Sequence, residues 1–590
     1  MNMQKLDPVK MEDWEIAEAA EENLRPIADI AADLGLNDDE WCAYGRFLGK
    51  IESAKLLNKP WRKRAKYIDV TAITPTPLGE GKTTTTIGLV QGLAKIGKKS
   101  MGTVRQPSGG PTFNIKGSAA GGGLAQVVPL APLSLGLTGD IDAVTNANNL
   151  AMVALSARMQ HERNYDDERL ARSFLKRIDI DPERIQLRWA MDFCAQALRN
   201  IEIGIGGKMD GYNMPSGFYI TVASEVMAVL AMAADLDDLR KRIGKIIVAY
   251  DKTGNPVTTA RLEVDGAMTA WLVRAINPTI MQTIEGQPVL VHAGPFANIA
   301  IGQSSVIADR LGVTMSDYLV TESGFAADIG YEKFWNIKCR CSGLKPDAVV
   351  IVATVRALKS HGGAPPVKAG RELDPVYTTE NVEILEKGCD NLLAHIDIVK
   401  RSGIRPVVCL NSFYTDTDAE CETVKRITET AGARFAVSDH WLKGGKGAIA
   451  LAETVVEACE DTDNNFEFLS DLDAPLRSRI EDIVKEVYGG ECVTFSDDAE
   501  AKLKAMESNP EVANMPVCMA KTQYSLSHDP SLSGRPTGWT MPIRDILLYQ
   551  GAGLIVPVAG DIKLMPGTAS NAAFRRIDVD TETGKVKGLF

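Results

Sequence analysis

Unbroken apolar runs recur along this chain at lengths that suit buried strands, and helical periodicity fills much of what lies between them. The first stretch apolar enough for a strand, though broken by Asp69 and Thr71, is Tyr67-Ile68-Asp69-Val70-Thr71-Ala72-Ile73. After it, Ile87, Leu89, Val90, Leu93 and Ile96 repeat at helical spacing up to Gly97. Further strands are predicted to end at Val104, over 245–250, from Val289 into a Gly-Pro turn, over Asp347–Thr354, over Arg405–Leu410 and over Phe435–Val437. Helices are predicted over 7–60 (apolar face Trp14, Ile16, Leu24, Ile27, Ile30, Leu34), 147–200, 218–240, 381–402, 418–432 and 476–488. Gly, Pro and charges crowd 363–380, a natural boundary. The alternation predicts an α/β chain in three parts: a mostly parallel sheet domain over 1–365 with a helical lead-in, a second α/β domain over 366–490, and a smaller C-terminal domain over 491–590.

Between the first strand and its helix lies Thr74-Pro75-Thr76-Pro77-Leu78-Gly79-Glu80-Gly81-Lys82-Thr83-Thr84-Thr85-Thr86. Strand, glycine loop, Gly-Lys-Thr and helix is the layout of a P-loop, which makes the first domain P-loop NTPase-type. Residues Thr76 to Thr84 are then the candidate ATP-binding loop: Thr76, Pro77, Leu78, Gly79, Glu80, Gly81, Lys82, Thr83 and Thr84. Lys82 would reach the β- and γ-phosphates, and the Thr83 hydroxyl would ligate Mg²⁺. The pattern asks for Gly where this chain has Thr76, and Pro75 and Pro77 stiffen the loop.

Other chemistry-bearing residues fall just past strand ends, where open α/β sheets bind ligands. Arg105 follows the strand that ends at Val104. The run Gly117 to Gly123 frees the backbone for a close approach. Asp140 and Asp142 enter another loop. Arg356 and Lys359 suit either an anion or a solvated helix start. Asn411-Ser-Phe413 and Trp441 end two neighbouring strands, so that two aromatics could sandwich a flat ring or simply be core residues.

Composition narrows the field. A chain of 590 residues exceeds one core. Its net charge of −12 argues against a general nucleic-acid or membrane-surface binder. Ten cysteines show no disulfide framework, the six histidines show no metal-ligand spacing, and the N-terminal stretch lacks an apolar signal core. These features predict a cytoplasmic protein.

The chain resembles the formate–tetrahydrofolate ligase (10-formyltetrahydrofolate synthetase) family. The resemblance spans roughly 60–590 and rests on Thr74–Thr86, Gly324-Phe325-Ala-Ala-Asp328, Val352 to Gly363, Asn411 to Asp418, Trp441-Leu-Lys-Gly-Gly445 and Pro516 to Ser525. It implies an ATP-dependent ligase that makes formyl phosphate and passes the formyl group to N10 of tetrahydrofolate. It implies that Arg105 holds the formyl phosphate, that Lys82, Arg105 and Asp140 are catalytic with Asp140 near the folate, and that Phe413, Trp441 and Asn411 bind the folate. It also implies a homotetramer and activation by a monovalent cation.

The departures cluster. Gln106 stands where the family has Glu, Ser118 where it has Gly, and Leu124 where it has Tyr. Asp142, Asn148 and Ile301 replace histidines, and Thr568-Ala569 replaces Leu-Pro. Two other readings therefore remain open at this point: a paralogue using another small carboxylate or acceptor amine, and a non-catalytic nucleotide-binding regulator.

Overall fold

A twelve-stranded sheet runs through the molecule. The computed structural model describes residues 6–59, 64–114, 119–367, 372–560 and 562–589. Lys116, Gly117 and Ser118 thus lie outside the described residues. In chain order the strands are β1 (Trp41–Ala43), β2 (Gly49–Ile51), β3 (Lys66–Ala72), β4 (Ser100–Val104), β5 (Gly121–Gly122), β6 (Ala125–Val128), β7 (Thr279–Thr283), β8 (Pro288–Val291), β9 (Tyr318–Glu322), β10 (Ala348–Ala353), β11 (Val407–Asn411) and β12 (Arg434–Ser438). Their order across the sheet is β1-β2-β7-β8-β4-β9-β3-β10-β11-β12, with β6 on β7 and β5 on β6. From β8 to β12 every neighbouring pair is parallel. The strands β3, β4, β9, β10 and β11 carry the apolar runs because both their faces are covered.

Parallel strands need crossovers, and helices supply them. The helix α2 (Lys82–Lys95) follows β3, and α4 (Val355–His361) follows β10. The helices α5 (Val382–Arg401) and α6 (Asp418–Thr430) flank β11. The first helix, α1 (Asp13–Glu21), packs on β6, and the long α3 (Asp140–Asn164) packs against the helix Asp265–Leu272. A short helix, α7 (His440–Lys443), follows β12. Among the described residues, no helix is long and apolar enough to cross a membrane.

Three sequence expectations change. The 7–60 stretch is only partly helical: β1 and β2 pair with each other and extend the sheet antiparallel to β7. Its apolar positions serve two periods, which a single helical reading merges. The helix expected over 147–200 ends at Asn164, and Ile180–Ile185 is a strand paired with Ile247–Asp251. That partner lies far downstream and is invisible to a local window. The 218–240 helix divides into the strand Phe218–Ile220 and the helices Glu225–Met232 and Leu236–Lys245, because Asp235 caps the second helix with its own side chain.

Strands on either side of residue 365 are neighbours in one sheet, since β10 pairs with β11. Glycine and proline between them mark a crossover within the sheet. The C-terminal stretch adds a parallel pair, Cys492–Phe495 with Thr540–Ile543, and a hairpin, Asp545–Tyr549 with Leu554–Val558.

Candidate active site

The glycine loop leaves β3 under tight control. Asn391 on α5 accepts the Thr74 N–H at 3.2 Å and donates to its hydroxyl at 2.9 Å. His395 Nε2 lies 3.0 Å from that hydroxyl, and His361 donates to the Thr74 carbonyl at 2.8 Å. Burial holds both imidazoles below their usual range, His395 at about 4, so they grip the loop as neutral groups. Thr76 has a purpose in place of glycine. Its N–H and hydroxyl both donate to Glu80 Oε1, at 2.7 and 3.0 Å, folding the loop onto itself. Pro77 and Gly79 are exposed and Leu78 is half-buried. Gly81 is left-handed at φ +70°, and Asn411 fills the space a Cβ would need. The Asn411 amide also donates to the Glu80 carbonyl at 3.2 Å. The side chain of Asn411, expected at the folate, contacts the glycine loop.

Helix α2 starts at Lys82, so its first N–H groups and positive dipole end face the loop. Thr83 and Thr84 are half-buried in its first turn. The Lys82 ammonium is 3.4 Å from the carbonyl of Phe325, itself held in the left-handed region at φ +61°. The Thr83 hydroxyl donates to Glu322 at 2.8 Å, and Glu322 ends β9, next to β3. Arg105 follows β4 on the other side of β9 and donates to the Pro295 carbonyl at 3.3 Å. Its buried Nε finds no partner among the described residues. Burial disfavours the charge on Lys82 and Arg105, and Glu322 favours it on both. Two cations and one carboxylate thus meet at the carboxyl edge of three adjacent strands. Downstream of Arg105, Asp192 accepts from the Ser108 hydroxyl at 2.7 Å and the Gly109 N–H at 2.8 Å.

The aromatic pair stands beyond β11 and β12. Phe413 and Trp441 are both half-buried, and their strands run in register with Asn411 opposite Ser438. The Arg356 guanidinium lies 4.6 Å from the centre of the Phe413 ring. Arg356 thus backs an aromatic, while Lys359 is buried against Glu420 at 2.6 Å. The ion pair with Glu420 occupies Lys359, whereas the buried Arg356 Nε, like that of Arg105, finds no partner among the described residues. The glycine run approaches Trp441: Leu124 donates to the Trp441 carbonyl at 2.9 Å, and Gly123 leaves no room for a Cβ beside it.

Asp140 is placed elsewhere. Its oxygens lie 2.8 and 2.9 Å from the Lys50 ammonium, both residues are buried, and Lys50 also donates to the Asn277 carbonyl at 2.6 Å. The structure brings Lys82, Thr83 and Arg105 together and leaves Asp140 in its own ion pair. Glu322, which joins them, escaped the sequence reading because a lone Glu at a strand end carries no motif.

Comparison with known proteins decides the lineage. A family model described as formate–tetrahydrofolate ligase matches residues 11–590. The chain belongs to the formate–tetrahydrofolate ligase family. It is 64% identical over 590 residues to the curated formate–tetrahydrofolate ligase of Dehalococcoides mccartyi strain CBDB1, covering all of this chain and 99% of the relative. It is 62% identical over 593 residues to that of Desulforapulum autotrophicum, covering 99% of this chain and all of the relative. To that of Lawsonia intracellularis it is 60% identical over 590 residues, with 99% and 100% covered.

Within this family member the departures sit comfortably. Ile301 is fully buried in the apolar core, where an imidazole would need a partner. Asn148 donates to the Arg188 carbonyl at 2.9 Å and accepts from the Tyr219 hydroxyl at 2.8 Å. Leu124 joins the apolar cluster of α1, and Asp142 is exposed. Thr568 donates to the Cys194 carbonyl at 2.9 Å. Gln106 is buried beside Arg105, with its N–H on the Ala293 carbonyl at 2.7 Å.

Proposed function

We propose that the protein joins formate to tetrahydrofolate at the expense of ATP, by way of formyl phosphate. The observation that carries the reading is the meeting of Lys82, Thr83, Glu322 and Arg105, with the buried Arg105 Nε lacking a partner among the described residues. An unpaired buried guanidinium N–H suits an oxyanion.

ATP fits the loop, because helix-start N–H groups and left-handed glycines turn backbone donors toward a polyphosphate. Mg²⁺ fits the hard oxygen donors Thr83 and Glu322, and its chemistry would be neutralisation of phosphate charge. The residues of the chain do the rest. Lys82 offsets charge on the transferring phosphoryl group, and Arg105 orients the carboxylate of formate. A formate oxygen attacks the γ-phosphorus, the bond to ADP breaks, and formyl phosphate results. N10 of tetrahydrofolate then attacks the formyl carbon, loses its proton, and phosphate leaves with the former formate oxygen. Phe413 and Trp441 hold the pterin. Asp140, neutralised by Lys50, stays out of the chemical steps and fixes the start of α3.

Steady-state ADP release is expected to need both formate and tetrahydrofolate, and oxygen-labelled formate is expected to pass label into phosphate. Turnover indifferent to both substrates would overturn the ligase reading. Unlabelled phosphate from an active enzyme would overturn formyl phosphate alone. Sedimentation and a potassium titration test the homotetramer and the monovalent-cation activation carried over from the family.

A further inference from the structure

Asp13 precedes Gly123 by 110 positions, yet its carboxylate accepts the Gly123 N–H at 2.7 Å. The helix that carries it is firmly seated. Ile16, Ala17 and Ala20 of α1 are buried in a cluster with Leu124, Val127 and Leu130. Gln126 ties the same pieces from the other side, donating to the Gly123 carbonyl at 2.8 Å and to the Asp13 carbonyl at 3.2 Å. What Gly123 then touches is Trp441. Gly123 is left-handed at φ +56°, and a Cβ there would stand 2.7 Å from Cδ1 of the indole. The next residue, Leu124, donates to the Trp441 carbonyl at 2.9 Å, and Gln91 on α2 holds the Leu124 carbonyl at 3.1 Å. Trp441 has no strand of its own to fix it, because it sits on a short helix after β12. The backbone of residues 123–124 abuts it, and of the three side chains that hold that backbone, Gln91, Gln126 and Asp13, only Asp13 takes the Gly123 N–H.

From this chain of contacts we infer that Asp13 is a positioning residue for the Trp441 indole, acting through Gly123 to fix the platform on which the pterin lies. The inference rests on the reading of Trp441 as pterin platform. Asp13 touches no substrate, so its loss is expected to weaken folate binding and leave the phosphoryl chemistry alone. The residue at 13 needs an acceptor oxygen, and asparagine retains one.

The test uses the full-length enzyme and steady-state kinetics for Asp13→Ala, Asp13→Asn, Trp441→Ala and the double variant Asp13→Ala/Trp441→Ala. Asp13→Ala is expected to raise the apparent KM for tetrahydrofolate about 5-fold, the scale of one ordinary hydrogen bond. Its kcat and its KM for formate stay near the wild-type values. Asp13→Asn restores the folate KM, and Asp13→Ala adds nothing once Trp441 is alanine. A folate KM unchanged in Asp13→Ala overturns the inference, and so does an equal rise for folate and formate, or a full additional effect in the double variant. Should Asp13→Ala fail to fold, Gly123→Ala, whose Cβ would press on the Trp441 carbonyl and indole together, carries the same expectation for the folate KM. If Trp441→Ala itself leaves the folate KM unchanged, the platform reading has failed and the inference falls with it. That result is distinct from a silent Asp13→Ala beside an affected Trp441→Ala.

Discussion

The two halves of the proposed site, the phosphate half around the glycine loop and the aromatic half around Phe413 and Trp441, lie at one sheet edge but are built by opposite means. The phosphate half grows from one continuous stretch, β3 to α2, with Arg105 and Glu322 brought in by the strands on β3's flank. Its parts are polar or charged, and hydrogen bonds hold the loop and the helix start: Thr76 to Glu80, Thr83 to Glu322, Asn411 to the loop. The aromatic half has no continuous stretch at all. Phe413 leans on Arg356, and Trp441 rests on a glycine whose own N–H is held by the first helix. Charge stabilisation demands fixed dipoles at short range, so the loop is stiff and local. A flat ring demands only a slot of the right width, and distant segments can supply its walls.

Breaking the phosphate half should cost the most. Lys82→Ala is expected to reduce kcat at least about 100-fold, the scale of losing one preorganised charge partner in a buried site. ADP release measured at saturating substrates checks it. Retention of a tenth of wild-type activity would contradict the phosphoryl-transfer role. Arg105→Lys keeps the charge and loses the planar fork, so kcat/KM for formate is expected to fall about 100-fold with the folate KM unmoved. A folate-specific effect at Arg105 would erase the division between the halves.

The aromatic half should respond more mildly and more selectively. Trp441→Ala is expected to raise the folate KM about 10-fold, from lost stacking and lost apolar cover, while the formate KM holds. Equal changes in both would mean that the indole supports the whole edge and is no slot for one substrate.

The same contrast explains what the sequence discloses. The strand–loop–helix pattern is legible because phosphate binding needs its residues adjacent, and the parallel strands are legible because both faces are apolar. The aromatics were visible as strand-end residues, but nothing local says that Gly123 and Asp13 stand behind Trp441. Asn411 shows the limit from another direction. Its place at the edge was correct, yet its partner is the loop across the sheet, and only the packing of β11 against β3's neighbour β10 reveals it. Asp140, expected at a loop entry, is the first residue of α3, and Lys50 from a strand unseen in the sequence pairs with its carboxylate.

The finest distinction concerns Asp192, which borders the phosphate half through the segment after Arg105. Its carboxylate takes one hydrogen bond on each oxygen, from Ser108 and from Gly109, just downstream of Arg105. Burial raises its pKa to about 6, and Asp142 on α3 adds to the rise, while the two hydrogen bonds oppose it. Above pH 6 the carboxylate is charged and accepts both bonds. Below pH 6 it gains a proton and loses an acceptor site, so the loop bearing Arg105 is held less firmly as pH falls. Asp192→Asn fixes the neutral state at every pH and sets an amide NH₂ against one of the two donors. At pH 7.5 the variant is expected to lose about 3-fold in kcat/KM for formate, the scale of one weakened hydrogen bond. Its pH profile is expected to lack the fall near pH 6 that is expected of wild type. If the variant keeps that fall unchanged, another group titrates there and Asp192 merely fills space, and the phosphate half then ends at the residues that touch Arg105 and Lys82 themselves.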